Sequence, residues 1–279
     1  MSVRPKHRFW ISLGHNKLAL FGFSILFCLV LISLSAPFIA RFNPGELHML
    51  KTLQAPDADF LMGTDEFGRD IFSRVIYGTR TSLQTSLLVV LIAGGIGTFL
   101  GLCSGYFSGV TDFIIMRIMD GLMAFPALLL ALSIMAAFGA SQTNLILALA
   151  IIYIPSFTRL TRNTTLGIRE LEFIEASKAA GAGSLRIMID HVFPNCLSPL
   201  IINATVILGY TILSEAALSF LGFGSPSQIS WGTILSDGRD YVFNAPWISI
   251  YPGLAISFFV LGTNLAGDGL RDILDPRMQ

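Results

Sequence analysis

Glu175-Ala-Ser-Lys-Ala-Ala-Gly181, with Pro194 thirteen residues further on, lies between two long apolar runs in a segment rich in positive charge. Glu170 to Ala180 reads as a short helix. Ala176, Ala179 and Ala180 give it a low-relief face that permits close approach to a partner's groove. Gly181-Ala-Gly183 ends it, because glycine tolerates the left-handed conformation of a helix C-terminus. Ser184 starts a second helix carrying Leu185, Met188, Ile189 and Val192, and Pro194 is expected to break the chain before the next apolar run. Such a helix lies across one face of a membrane protein, tied to the spans on either side.

Working outward, the composition supports that setting. The chain of 279 residues is 53% hydrophobic and 13% charged, where a soluble domain carries about 25% charge. Net charge is zero, which argues against nucleic acid as a partner. Charge is absent from 18–40, 81–111, 121–158, 192–214 and 241–267. A span needs about 20 apolar residues, and the polar patch Phe138-Gly-Ala-Ser-Gln-Thr-Asn144 divides the third window. Six spans are expected, near 18–40, 82–105, 113–138, 144–161, 198–221 and 246–267. The first is read as a retained span because it is long for a signal peptide and lacks a clear cleavage site. Cys28, Cys103 and Cys196 are odd in number and far apart, so they read as core residues. Pro126 and Pro155 are candidate kinks. Gly94, Gly95, Gly97 and Gly101 make span two small-faced.

An even number of spans puts both termini on one side. The tails, 106–117 and 159–191 together hold twelve Lys and Arg, against six in the other connections. Positive charge concentrates on the cytoplasmic side, so the 159–191 loop faces the cytoplasm.

The loop resembles the EAA loop of ABC-transporter permeases, whose pattern is E-A-A, three residues, G, nine residues, I-x-L-P. Here it reads Glu175-Ala176-Ser177, Gly181, and His191-Val192-Phe193-Pro194, departing at Ser177, His191 and Phe193. Leu61-Met-Gly-Thr-Asp-Glu-Phe-Gly-Arg-Asp-Ile-Phe-Ser-Arg-Val-Ile-Tyr-Gly-Thr-Arg80 is similar to the C-type permease subunit of dipeptide, oligopeptide and nickel importers. Ser214-Glu-Ala-Ala-Leu-Ser-Phe-Leu-Gly222 and Gly267-Asp-Gly-Leu-Arg-Asp-Ile-Leu-Asp-Pro276 resemble the same subfamily. The resemblance runs from about residue 18 to the C-terminus. It implies an all-α membrane protein with the type I ABC importer permease fold, without catalysis of its own. Tails would be 1–17 and 271–279, the first span and outer loop 18–80, and the permease core 81–270 with its coupling loop at about 162–194. The ATPase-coupling residues would be Glu175, Ala176, Ser177, Ala179, Gly181 and Pro194. Implied partners are a second permease chain, two ATPase subunits that bind ATP and Mg, and an extracytoplasmic solute-binding protein, in a bacterial inner membrane. Cofactors bound by this chain itself are not expected.

Other readings come from the residues. Thr64 or Asp65 is expected to cap a short interfacial helix from about Gly68, with Ile71, Phe72, Val75 and Ile76 on one face and Arg69, Asp70 and Arg74 on the other. That helix is either a brace or, with Asp65 and Arg69, a platform for the binding protein. Trp231, Asp237 and Arg239 of the 222–246 loop are a second candidate platform. Ionisable groups within a span invite a functional reading. Glu215 is either a satisfied interfacial carboxylate or a contact to a cationic solute. Asn203, Thr205 and Asn264 either line a path or serve packing. Arg117 and Asp120 are expected to pair or to stay solvated. A stand-alone secondary transporter would need midplane acids, and no Walker A motif is present. The solute reads as di- or oligopeptide, with nickel or metal chelates, opines and glutathione as alternatives.

Overall fold

A computed structural model describes residues 16–225 and 227–274. The expectations for the outer parts of both tails lie outside those residues.

Helix α1 (Lys17–Ile39) is capped by Asn16, whose side chain accepts from the Ala19 N–H. The 40–70 segment follows without long helices. Helix α2 (Ile71–Phe107) starts at the Asp70 cap and has 37 residues, about 55 Å at 1.5 Å per residue. It outruns the hydrocarbon core, and its first turns are buried in protein. The expected separate interfacial helix is therefore the outer end of span two itself.

Five helices are each long and apolar enough to cross a membrane, whereas the expected third span is instead two shorter helices, α3 (Gly109–Met123) and α4 (Ala127–Phe138), bent by 87°. Pro126 stands at the break, as proline disfavours continuation. Helix α5 (Gln142–Arg169) carries the chain back and ends beside a short helix, α6 (Glu172–Ala179). Helix α7 (Ser184–Ile187) passes through a π turn, Met188–Val192, into α8 (Phe193–Leu218). The expected break at Pro194 is thus a correction. Proline lacks an N–H and crowds the carbonyl four residues back, here Asp190. The wider π turn accommodates it, and Asn195 donates to the His191 carbonyl at 2.7 Å. A second π turn, Ser219–Phe223, ends the crossing. The short helix α9 (Trp231–Asp237) and the last span α10 (Trp247–Leu274) follow.

Small residues set the helix packing, as expected where apolar lipid offers no competing drive. Gly97, Gly101 and Gly105 of α2 bring its backbone against α5: a Cβ on Gly101 would stand 2.5 Å from the Thr158 carbonyl oxygen. Helix α1 lies on α10 through Ala19 and Gly22 against Ala266 and Gly269. Asn16 also donates to Asp272 at 3.0 Å, so the start of the first span and the end of the last lie on one side. Cys196 is buried as expected, whereas Cys28 is exposed on α1.

Candidate functional site

Helix α6 is a short helix held at both ends. Glu172 and Glu175 lie in the first turn of α6 and Lys178 in the last, matching the helix dipole at both ends. Gly181 has φ +83°. The Gly181 N–H donates to the Lys178 carbonyl at 2.9 Å and the Ala182 N–H to the Ser177 carbonyl at 3.1 Å. These two bonds form the Schellman termination. One side chain, Ile174, is wholly buried and packs in a cluster with Ile168 of α5, Ile187 of α7, and Val192 and Cys196. Helix α6 is thereby fastened to the spans on both sides. Glu175, Ala176 and Ala179 are exposed, as are Leu171, Phe173 and Leu185 nearby. Ser177 instead turns inward, and its Oγ lies 3.4 Å from His191 Nε2. Pro194 is exposed near the start of α8.

Next to this helix, arginines of α5 hold the corner between α2 and α3. Arg162 pairs with Asp112 at 2.6 Å and Arg159 with Asp120 at 2.6 Å. Arg169 donates to the carbonyls of Gly105 and Tyr106. Asp120 therefore pairs with Arg159 rather than Arg117, whose guanidinium stacks on Phe113.

The opposite end of the molecule carries a second charged cluster. Asp65 accepts from the N–H groups of Phe67 and Arg69 and from the guanidinium of Arg74 at 3.0 Å. Arg74 and Arg69 both reach Asp237 of α9, at 2.7 and 3.2 Å. Arg74 does not pair with Asp70, four residues before it. It is buried and pairs across 163 residues, while Asp70 caps α2 through Ser73. Asp65, Glu66 and Asp237 are close enough to hold a metal ion, but two guanidinium groups already supply the positive charge there. Burial holds the Glu66 carboxyl above its ordinary value, with Asp65 and Asp237 adding to the rise.

Of the expected docking residues, Trp231 is wholly buried. Its indole N–H donates to the Val75 carbonyl at 3.1 Å and its backbone N–H to Ser82, so it anchors α9 on α2 and presents no surface. Asp65 is likewise buried. Arg69 and Asp237 are partly exposed and Arg239 is exposed. Glu215 is 2% exposed and accepts from Ser230, Ser219 and Ser82. It sits under the N-terminus of α9 and makes no contact with open space. Asn203 and Thr205 do not share a face, because residues two apart on a helix point apart. Asn203 accepts from Ser156 of α5, while Thr205 packs at Gly267 of α10. Asn264 is exposed on α10.

Residues 97–279 match the family described as binding-protein-dependent transport system inner membrane component, and residues 5–56 match the N-terminal TM domain of oligopeptide transport permease C. The chain belongs to this permease family. The permease is 44% identical to the dipeptide transport system permease protein DppC of Alkalihalophilus pseudofirmus, over 100% of this chain and 92% of the relative. It is 42% identical to DppC of Haemophilus influenzae, over 99% of this chain and 96% of the relative. A solved inward-facing MetNI methionine ABC transporter shares its fold, with TM-score 0.60, 19% identity and coverage of 74% of this permease and 98% of that chain. Permeases of this kind are non-catalytic components of a multi-subunit ABC importer, with ATP hydrolysis in separate subunits.

Three features were missed from the sequence. Ile174 gave no distinguishing signal, because Phe173 beside it is apolar too yet exposed. The Arg74–Asp237 pair joins distant segments. The polar residues Tyr153 and Ser156 of α5 and Tyr210 of α8 lie inside charge-free windows, where nothing local marks them.

Proposed function

We propose that this permease forms half of the translocation pathway of an ATP-driven importer for di- or oligopeptides. The substrate class rests on the dipeptide transport relatives. The observation that carries the coupling role is the exposed face of Glu175, Ala176 and Ala179 on a helix whose buried Ile174 grips the cores of α5, α7 and α8. A partner ATPase receives that face, with Gly181 setting the turn and Ser177 and Pro194 supporting it from behind. Force on α6 then moves two spans together. ATP and Mg belong to that partner.

The complex comprises this chain, a second permease, two ATPase subunits and an extracytoplasmic binding protein. It sits in a bacterial inner membrane with both termini cytoplasmic. The binding protein docks on the outer cap, where Arg239 is exposed and Arg69 and Asp237 reach the surface. The test is affinity capture of the tagged chain from solubilised membranes with identification of what co-purifies. A second permease and ATPases are expected, and recovery of the chain alone, under conditions that preserve other membrane complexes, overturns the reading.

A further inference from the structure

The apolar surface of a spanning helix faces lipid at no cost, but an unsatisfied polar group must face protein or a water-filled cavity. Most exposed hydroxyls on these spans hide their polarity. Ser24, Ser133 and Ser257 each donate to the carbonyl four residues back, at 2.7 to 2.8 Å. The seam between α5 and α8 is different. Tyr153 bonds Ser214 at 2.9 Å, and Ser156 donates to Asn203 at 3.4 Å, both across the seam. Asn203 Nδ2 is buried with no partner. Asn203, Tyr210 and Ser214 stand seven and four residues apart, and so share one face of α8. Tyr210 is 56% exposed on it. On α5, Tyr153, Ser156 and Arg159 follow at three-residue steps, and Arg159 meets Asp120 at the cytoplasmic end.

Resting on the permease reading above, we propose that this seam lines the solute path, and that its uncharged hydrogen-bonding groups engage the amide backbone of the solute rather than its charged ends. It offers phenol and hydroxyl groups and an amide with a spare donor, and bears no charge until the Arg159–Asp120 pair. Such groups serve the N–H and C=O of a peptide backbone whatever its side chains. Glu215, buried under α9, takes no part.

The test places single cysteines in the assembled complex in membrane vesicles, after Cys28→Ser, Cys103→Ser and Cys196→Ala remove the native thiols. The probe is a charged, membrane-impermeant methanethiosulfonate. Asn203→Cys and Tyr210→Cys are expected to react, at rates that change when ATP is added, while Phe27→Cys on the exposed face of α1 does not. Both remaining as inert as Phe27→Cys, in a complex that still co-purifies and hydrolyses ATP, overturns the seam and leaves the permease reading intact. A wild-type chain that never recruits ATPases overturns the permease reading instead. Tyr210→Phe keeps the ring and removes one neutral hydrogen-bonding group, so uptake of alanyl-alanine is expected to fall about five-fold. Unchanged uptake in that variant overturns the hydrogen-bonding role.

Discussion

Ser177 Oγ and His191 Nε2 stand 3.4 Å apart, joining the inner side of α6 to the π turn ahead of α8. These are two of the three positions at which the loop departs from the EAA pattern, and they depart together, as one polar contact between helices. Ser177 also donates to the Phe173 carbonyl at 2.8 Å, so losing His191 does not orphan it. Ser177→Ala alone is expected to cost about 1 kcal/mol or less, with ATPase coupling near wild type. Ser177→Ala with His191→Ile is expected to be less damaging than the sum of the single changes by about 0.5–1 kcal/mol. Thermal unfolding of the purified complex measures this, and strict additivity would show that the contact carries no energy.

Gly181 and Gly101 are both glycines but for different reasons. Nothing lies within 4 Å of a Cβ placed on Gly181, yet its φ is +83°. Gly181→Ala should therefore cost only the conformational penalty, about 1–2 kcal/mol, and reduce ATPase coupling while the complex still assembles. Gly101→Ala should be worse, because the new Cβ meets backbone of α5 at 2.5 Å. Comparing the yield of assembled complex for the two variants separates them. Equal yields would contradict the packing explanation.

The cap at the end opposite α6 depends on a buried ion cluster. Asp65 has 1% side-chain exposure and serves Arg69 and Arg74. Removing one partner from a buried pair leaves an uncompensated charge, at about 3–5 kcal/mol. Asp65→Ala is expected to lower the melting temperature strongly. Asp237→Ala should do so less, because Arg74 keeps Asp65 and Asp237 is more exposed. The reverse order in a melting series would refute the assignment of Asp65 as the centre.

Glu66 makes that cap sensitive to pH. Its native carboxyl is held above the ordinary value by burial, so the folded chain binds that proton more tightly than the unfolded chain. The resulting stabilisation is complete below the ordinary glutamate value and is lost as pH rises through the raised one. Glu66→Gln removes this dependence. Melting of wild type and variant at pH 4 and pH 8 should show a smaller contribution from position 66 to the acid-to-alkaline loss in the variant. An unchanged difference would mean that Glu66 does not titrate in that window.

Five of the spans and the short helix at 172–179 were legible because their signals are local: charge-free windows, alanines on one face, a glycine at a helix end. The bend at Pro126 was legible for the same reason, though not its 87° magnitude. What could not be read was set by distant partners. Helix α2 starts eleven residues ahead of the expected 82 because residues far along the chain roof it, with Trp231 bonded to Val75 and Asp237 to Arg74. The expected cap at Thr64 or Asp65 failed because Asp65 bonds Arg69 and Arg74 while Asp70 takes the helix start. Pro194 resembles a stop in the sequence because a π turn leaves no recognisable spacing.

The central claim is that the exposed face of α6 seats in an ATPase subunit. Ala176→Cys and Ala179→Cys, in a chain without Cys28, Cys103 and Cys196, should each form an oxidant-induced cross-link to a cysteine placed in the receiving groove of that subunit, in yields that change with ATP. Ile174→Cys, buried in the loop's own core, should not. Efficient cross-linking at Ala176 and Ala179 is the predicted result. Its absence at both positions, in a complex that co-purifies and hydrolyses ATP, would contradict the docking of this helix.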